Sequence, residues 1–529
     1  MRTRLGFGGT ITAPHHLAAE AGAEILRAGG NAVEAMVAAA AAIAVVYPHM
    51  NAIGGDGFWI VAEPGRDPVG IDACGAAAAA AARDFYRERG HAGTIPSRGP
   101  LAALTAAGTI SGWAAALDVA RPWGTPIPLA DLLGAAVDHA RDGVPVTPSQ
   151  QGHTAAKLAE LRDVPGFAET FLAEGAVPRA GARLANARLA ATLEQLGTAG
   201  LDDFYRGDLA RSIAADLAAA GSPLALADLE SHRARRVTPL AADLACGRIW
   251  NMPPPTQGLA SLMILAIFER LAVPEAEGFD HLHGLIEATK QAFLIRDAHV
   301  TDPAHMTADP ASFLAPDLLA AAAARVDRGR ALPWPQPASK GDTIWMGAID
   351  AQGRAVSFIQ SIYWEFGSGV VLPQSGILWQ NRGISFGLTD GAPHPLRPGR
   401  KPFHTLNPAF ARLKDGRTMV YGTMGGEGQP QTQAALFSRY AMFGQDLQDA
   451  ISAPRWLLGR TWGAESTTLK LEDRFDPVLV RRLRDVGHAV ETAPPLTDLM
   501  GHAGAVVRHA TGLFEGATDP RSDGAAVAL

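Results

Sequence analysis

Residues 339–348 have the sequence SKGDTIWMGA, and the chain changes its character within this stretch. Residues 331–338, just before it, are rich in proline and predict an exposed linker in an otherwise compact chain. The run from Ile344 to Ile349 is apolar and predicts a strand. The stretch therefore puts the hydroxyl of Thr343 at the junction between a linker and a rigid strand.

The sequence on either side predicts different kinds of structure. Toward the N-terminus, two apolar runs separated by Gly29-Gly30-Asn31 predict two helices, and the uniform apolarity of the second predicts that it is buried. The alanine run at 76–82 also predicts a helix. Toward the C-terminus, the glycine-containing loop at 351–353 and Asp415-Gly416 each predict a hairpin. Helices, then strands, then helices again indicate a layered α+β fold.

Composition excludes several classes of protein. The chain has 529 residues, of which 47% are hydrophobic and 19% charged, so it can bury a large core. The net charge of −7 argues against a nucleic-acid or anionic-membrane surface. Two cysteines, Cys74 and Cys246, do not make a disulfide framework. No segment resembles a signal peptide or a membrane span, so the prediction is a cytoplasmic protein without a membrane partner.

Two interpretations of Thr343 fit its position. Threonine is β-branched and commonly starts a strand, so its presence can be purely structural. Alternatively, its hydroxyl is a nucleophile that uses the α-amine of the same residue as base, since an α-amine has a pKa of about 7.7–8.0. The second interpretation requires a cut between Asp342 and Thr343. The threonine oxygen attacks the Asp342 carbonyl in an N-to-O acyl shift, and water hydrolyses the resulting ester.

Other motifs leave the chemistry equally open. Gly425 and Gly426 either form a turn or let backbone N–H groups approach a substrate as an oxyanion hole. His281 and His283, two residues apart at a helix start, favour capping and packing over metal binding. The chain has no HExxH, no paired CxxC, no phosphate loop and no GxSxG elbow, and we expect no metal and no cofactor.

Many segments, taken in order, resemble the γ-glutamyltranspeptidase family of N-terminal-nucleophile hydrolases. They are the opening helices from His15 to Phe58, PPPTQG, ATKQAFLIRDA, the GDT junction, FGSGVV, GILWQNRG, PGRKPFHTLNP, MGGEGQPQTQ and the closing GATDPRSDGAA. The resemblance implies a four-layer αββα sandwich. It also implies self-cleavage into residues 1–342 and 343–529, which remain one intertwined unit.

The resemblance assigns roles to individual residues. Thr343 matches the nucleophile, and Asp342 precedes the bond to be cut. Gly425 and Gly426 match the oxyanion pair, and Ser361 matches the hydroxyl near the nucleophile's amine. The known clamp for a glutamyl group is largely missing, because Cys74 stands where the family has a carboxylate-binding arginine.

Other positions also lack the residues with which the family binds a glutamyl group. Tyr363 and Ser385 replace an asparagine and an aspartate, His404 and Thr405 replace a serine pair, and Arg382 replaces a neutral residue. The predicted substrate-binding residues are Arg382, Tyr363, His404, Thr405 and Ser385. Two interpretations of Arg382 remain open, a ligand for a substrate carboxylate and a surface or inter-strand salt bridge.

A new cation among bulky groups such as Trp364 predicts a small amide with a carboxylate beside its carbonyl. SIYWEFGSGVV, QNRGISF and RPGRKPFHTLNP look most like the oxamate amidohydrolase branch, which releases oxalate and ammonia from oxamate in purine (allantoin) breakdown. The alternatives are a γ-glutamyl hydrolase or transferase, an acylase, and an uncut inactive member that acts as a binding protein. A higher oligomer of the two chains is compatible with the sequence.

Overall fold

The computed structural model describes residues 1–334, 342–459 and 466–529, with the backbone alone for Asp342. The predicted linker therefore lies outside the described residues from position 335 onward. Two large β-sheets lie face to face, and helices cover the outer face of each. This is the predicted four-layer αββα sandwich.

The strands of the described residues are numbered in chain order. They are β1 (Arg4–Gly6), β2 (Gly9–Ala13), β3 (Asp56–Ala62), β4 (Val69–Asp72), β5 (Val144–Pro145), β6 (Arg183–Leu184), β7 (Arg235–Val237), β8 (Leu240–Leu244), β9 (Gly247–Asn251), β10 (Asp342–Asp350), β11 (Ala355–Tyr363), β12 (Ala409–Leu413), β13 (Thr418–Thr423), β14 (Trp456–Leu458), β15 (Leu469–Glu472), β16 (Val490–Ala493), β17 (Ala503–Arg508), β18 (Phe514–Thr518) and β19 (Ala525–Ala528).

The helices are numbered in the same way. They are α1 (His16–Arg27), α2 (Ala32–Val46), α3 (Arg83–Arg87), α4 (Thr109–Ala120), α5 (Leu129–Asp142), α6 (Pro148–Leu161), α7 (Phe167–Phe171), α8 (Ala187–Ala199), α9 (Asp203–Arg206), α10 (Asp208–Ala220), α11 (Leu226–Ser231), α12 (Gly258–Arg270), α13 (Phe279–His299), α14 (Pro316–Ala324), α15 (Gln429–Phe437), α16 (Leu447–Ser452) and α17 (Pro477–Asp485).

The two large sheets mix strands from both sides of Thr343. Sheet I has the order β19-β2-β10-β11-β3-β4-β7, and sheet II has the order β1-β18-β17-β13-β12-β9-β8. In sheet I, β10 and β11 lie between β2 and β3, which come from the N-terminal part of the chain. Two chains cut at Thr343 would therefore stay joined by backbone hydrogen bonds in both sheets.

Alternation along β10 explains how the layers pack. Ile344 and Met346 belong to the core between sheet I and its helices, whereas Trp345 and Ile349 belong to the core between the two sheets. Successive side chains of a strand point to opposite faces, so both faces of β10 are buried. A third core joins sheet II to α12, α13 and α15.

The N-terminal helices confirm their prediction. α1 ends at Arg27, and α2 begins after Asn31, whose side chain accepts from the backbone of Glu34 while Glu34 accepts from the backbone of Asn31. This capping box fixes the start of α2. Every residue of α2 is buried, as uniform apolarity predicts.

The hairpins predicted around β10–β11 and β12–β13 are both present, the first with a loop one residue longer than predicted. The prediction of a helix at 76–82 is wrong. Ala77 instead forms a bridge with Thr105, and its backbone exchanges hydrogen bonds with Gly399 and Arg400. These contacts with distant segments outweigh the local helix propensity of alanine.

Trp345 fits between the sheets because glycines face it. A Cβ at Gly422 would lie 2.2 Å from Cδ1 of Trp345, and a Cβ at Gly504 would lie 2.5 Å from Cζ3. We expect Gly422→Ala to lower the free energy of unfolding by about 1–3 kcal/mol, because the indole has no room to move. Thermal unfolding followed by circular dichroism measures this loss.

Gly134 supplies a matched control for that substitution. It lies inside α5, and a Cβ there would meet nothing within 4 Å. Gly134→Ala is therefore expected to stabilise the chain by about 0.5–1 kcal/mol, since alanine has the higher helix propensity. Equal melting temperatures for the two variants would contradict this description of the core.

Candidate active site

Thr343 lies at an irregularity in the pairing of β10 with β11. The register shifts between Asp342 and Ile344, so Thr343 faces two residues of β11, one of which is Ser361. Thr343 is fully buried, and its Oγ1 donates to Oγ of Ser361 at 3.3 Å. Oγ of Ser361 also accepts from the N–H of Tyr363 at 2.9 Å. The structure thus brings together the predicted nucleophile and its predicted hydroxyl neighbour.

Gly425 and Gly426 follow β13 and adopt φ angles of 120° and 54°. Both values lie in the region that favours glycine. They precede α15, and neither N–H group donates to another described residue. Two adjacent, unengaged N–H groups before a helix N-terminus are suited to hold a negatively charged oxygen.

Gln257 holds this glycine loop against the segment around Thr405. Its Nε2 donates to the carbonyls of Gly426 and Thr405, both at 2.8 Å. Its Oε1 accepts from Nη1 of Arg296 at 3.0 Å, and Arg296 forms an ion pair with Glu427 at 2.8 Å. This buried network fixes the position of the glycine loop.

Arg382 is 1% exposed and begins a 3₁₀ turn that ends at Ser385. Its guanidinium carbon lies 3.8 Å from the ring centroid of Tyr363, and Nη1 lies 3.5 Å from Oγ1 of Thr405. Nε and Nη2 have no hydrogen-bond partner among the described residues, and Oγ of Ser385 has none either. Arg382 is thus neither a surface residue nor part of an ion pair in the described chain.

Burial also affects the charge of Arg382. It lowers the pKa of the guanidinium to about 10, an effect that the acidic groups of Tyr363, Asp56 and Cys74 partly offset, so the side chain stays cationic at neutral pH. A buried cation without a paired anion is costly in free energy. The site is therefore electrostatically prepared for an anion.

His404 forms a buried pair with Asp56. Its Nε2 lies 3.0 Å from Oδ2 of Asp56, and its Nδ1 has no partner among the described residues. Burial, together with the positive charge of Arg382, holds the pKa of His404 well below its usual value. Burial raises the pKa of Asp56 to about 7, although hydrogen bonds and the charge of Arg382 oppose the rise.

Asp56 lies near Thr343, because it pairs across the sheet with the neighbour of Thr343, Ser361. It is paired directly with Ser361 across β3 and β11. Directly opposite residues share a face of the sheet, with Cβ atoms about 4.5–5.5 Å apart. The structure therefore brings Thr343, Ser361, Asp56, His404 and Arg382 to one region between the sheets.

A cleft of ≈ 1010 Å³ lies near this region, although none of the residues just named lines it. Its lining includes Cys74, which the resemblance matches to the family's arginine, and Lys401, which forms an ion pair with Asp72 at 2.6 Å. Pro398 and Gly399 also line it, so the end of the loop at 390–400 borders the cleft.

His281 and His283 do not converge on one point. His281 accepts from the N–H of Glu277 before α13 and bonds to a serine hydroxyl. His283 instead meets His488, with 2.9 Å between Nδ1 and Nε2, and Glu287 lies in the same buried group. Lys290 forms an ion pair with Glu287 at 2.7 Å, so hydrogen bonds and charge pairing engage the group.

Comparison with known proteins agrees with this geometry. The sequence profile of the gamma-glutamyltranspeptidase family matches residues 18–529. The chain belongs to this family. Within it, the oxamate amidohydrolase proenzyme of Klebsiella pneumoniae is 56% identical over 519 residues, which is 98% of each chain. The glutathione hydrolase-like YwrD proenzyme of Bacillus subtilis is 39% identical, again over 98% of each chain.

Family membership extends to the three-dimensional structure. The cephalosporin acylase of Bacillus halodurans superimposes with a TM-score of 0.92 at 31% identity, covering all of this chain and 97% of the acylase. Among the helices of the described residues, none combines the length and apolarity needed to cross a bilayer.

Sequence analysis missed two residues of this gamma-glutamyltranspeptidase-family site, Asp56 and Gln257. Asp56 lies in the stretch IGGDGF, whose glycines by themselves predict only a turn. A carboxylate at the start of an apolar strand is unusual and was the available signal. Gln257 gave no comparable signal, because its role depends on two backbone carbonyls from remote loops.

Proposed function

We propose that this chain is a self-processing threonine amidohydrolase that converts oxamate to oxalate and ammonia. The observation that carries the proposal is the buried, unpaired guanidinium of Arg382 in the same region as Thr343. A carboxylate would satisfy its two unengaged nitrogen atoms. The name of the 56% identical Klebsiella relative, oxamate amidohydrolase proenzyme, supports the same substrate.

Cleavage between Asp342 and Thr343 is the first step of the proposal. It gives chains of residues 1–342 and 343–529, and Thr343 gains a free α-amine. The register shift at Thr343 supports this site of cleavage, because a locally disrupted ladder holds the peptide bond less regularly. The word proenzyme in the names of both relatives supports processing in general.

The proposed reaction then uses the new amine as the base. The α-amine of Thr343 takes the proton of Oγ1, and Oγ1 attacks the amide carbon of oxamate. The N–H groups of Gly425 and Gly426 donate to the developing oxyanion, and the α-ammonium returns its proton to the nitrogen that leaves as ammonia. Water attacks the ester on Thr343, and oxalate is released.

The polar groups around Arg382 support a small substrate. Arg382 would bind the carboxylate of oxamate, with Tyr363 stacked on the guanidinium and Thr405, His404 and Ser385 beside it. The missing glutamyl clamp at Cys74 argues against a γ-glutamyl group. The cytoplasmic location, the role in purine breakdown and a higher oligomer stay predictions.

Gly425→Val tests the oxyanion assignment. The change is expected to lower kcat about 10²–10³-fold with little effect on KM, because it moves a donor away from the transition state. The φ of 120° excludes valine without strain, and its Cβ would lie 3.3 Å from Cα of Gly501. Steady-state ammonia release from cleaved protein measures the loss.

A substitution at a second glycine, outside the candidate site, serves as the control for backbone strain alone. Gly512 has a φ of 86° in the turn between β17 and β18, and a Cβ at this position would meet nothing within 4 Å. Gly512→Val carries similar strain and is expected to leave kcat unchanged. Near-full turnover of Gly425→Val after normal cleavage would show that the oxyanion assignment is wrong.

Substrate choice is tested directly with two amides. We expect the purified, cleaved enzyme to release ammonia from oxamate and to leave a γ-glutamyl anilide almost untouched. The reverse preference would contradict the proposal in favour of a γ-glutamyl hydrolase. An uncut chain that turns over neither amide would indicate a binding protein.

A further inference from the structure

Asp56 and His404 form a buried acid–base pair that the proposed reaction leaves unused. Both residues are fully buried, and Arg382 beside them is 1% exposed. Oδ1 of Asp56 accepts from the N–H of Gly75 at 3.0 Å and from Nε2 of Gln380 at 3.1 Å, while Oδ2 faces His404. These contacts leave no ion pair between Asp56 and Arg382.

The charge around this pair does not balance when a substrate binds. With the Thr343 α-amine in the neutral form that the reaction needs, the site without substrate holds one described cation, Arg382, and one nearby carboxylate, Asp56, whose pKa the cation lowers. An incoming carboxylate on Arg382 would place two anions near one buried cation. Like charges in a buried site disfavour each other, so one of the two carboxylates should become protonated.

We propose that Asp56 is the counter-ion of Arg382 in the empty site, and that the Asp56–His404 pair takes up one proton when a carboxylate binds Arg382. The inference rests on the proposed function, since it assumes that Arg382 receives the substrate carboxylate. It adds a selectivity rule: the site is neutral with one bound carboxylate and disfavours a second. Oxalate, the doubly charged product, would therefore leave readily.

The proton has a defined path through the pair. Water supplies a proton to Nδ1 of His404, which has no partner among the described residues. The proton on Nε2 passes to Oδ2 of Asp56 across the 3.0 Å contact. His404 ends neutral, with its proton on Nδ1, and Asp56 ends as a carboxylic acid. One proton enters and none is lost.

Other titratable groups surround Asp56 and must be considered with it. Those that interact with its charge are Arg382, Asp72, Cys74 and Tyr205, and Lys401 acts on His404. Burial raises the pKa of the Cys74 thiol and of the Tyr205 phenol, so both stay neutral near pH 7. Asp72 is held by Lys401 in an ion pair. The α-amine of cleaved Thr343 also titrates, at a pKa of about 7.7–8.0, but it is present in every cleaved variant. The charge change of Asp56 is therefore measured as the difference between the unchanged enzyme and a variant without the Asp56 carboxylate.

The sign of the pH dependence follows from this assignment. Binding raises the pKa of Asp56 above its value in the empty site, about 7. Below that pH the pair is already protonated, and affinity does not depend on pH. Above it, binding must take up a proton, so the inhibition constant of a monocarboxylate should rise about tenfold per pH unit.

The test uses lactate, a monocarboxylate without a carbonyl for Thr343 to attack. Its inhibition constant against oxamate hydrolysis is measured from about pH 6 to about pH 9 with cleaved enzyme. We expect the full rise in the unchanged enzyme and its loss in Asp56→Asn, which keeps the shape and removes the charge, apart from the part that the Thr343 α-amine causes in both. Asp72→Asn, a change of the same kind on the neighbouring strand, should keep the rise.

Each outcome decides one point. If Asp56→Asn keeps the rise, or the unchanged enzyme lacks it, the inference is wrong. If oxamate is not hydrolysed at all, the proposed function itself fails. Should Asp56→Asn not fold or not cleave, proton uptake by the unchanged enzyme replaces it. In weakly buffered solution near pH 7.5, where the Thr343 α-amine is already mostly protonated, the enzyme should take up about three-quarters of a proton per site when it is saturated with lactate. An uptake below about half a proton, which the α-amine alone could give, overturns the inference.

Discussion

Thr343→Ala is expected to remain a single uncut chain and to lose ammonia release by about 10⁴-fold or more. The same oxygen performs both reactions, because Oγ1 attacks the Asp342 carbonyl during processing and the substrate during turnover. The residue is fully buried beside Ser361, and alanine fills less space there without a clash. A denaturing gel, N-terminal sequencing and an ammonia assay measure the two losses.

Two further variants separate chemistry from packing. Thr343→Ser keeps the hydroxyl and should still be cut at the same bond and still turn over. Thr10→Ala makes the same change at another fully buried threonine, on β2 of the same sheet, and should be cut and active. Cleavage and ammonia release by Thr343→Ala would remove the basis of the proposed mechanism.

The elements predicted well from sequence are those fixed by local interactions. The pair α1–α2 follows from a glycine-rich stop and an asparagine cap, and the β12–β13 hairpin follows from Asp415-Gly416. Each is determined by residues that are close to one another in the sequence. The helix predicted at 76–82 is absent because Ala77 in this segment forms backbone hydrogen bonds with residues more than three hundred positions away.

The residues of the candidate site also fall into those that local sequence predicts and those that depend on distant contacts. Thr343 was found because it stands at a visible change in the sequence, and Gly425-Gly426 because adjacent glycines mark unusual backbone. The burial of Arg382 could not be predicted, since the cover over it comes from several segments. Asp56 was missed because its partner, His404, is 348 positions away along the chain. Contacts at such separations leave no local pattern in the sequence.

Arg382→Met is expected to raise KM for oxamate at least about 10²-fold while leaving cleavage at Thr343 intact. The change removes the guanidinium and keeps an apolar chain of comparable length against the ring of Tyr363. Charge-assisted hydrogen bonds to the substrate carboxylate are lost, and no other described cation takes their place. Steady-state kinetics with oxamate measures KM, and a gel checks cleavage.

Stability distinguishes a binding role from a structural role for Arg382. Arg382 has no ion pair among the described residues, so Arg382→Met should not lower the melting temperature, and lactate should no longer raise it. Arg521 provides the contrast, because it pairs in the core with Glu472 and with Asp519 at 3.0 Å. Arg521→Met removes one partner from each of two buried carboxylates, which each keep another arginine, and should cost about 1.5–3 kcal/mol. A similar loss in both variants would mean that Arg382 supports the fold and that the carboxylate binds elsewhere.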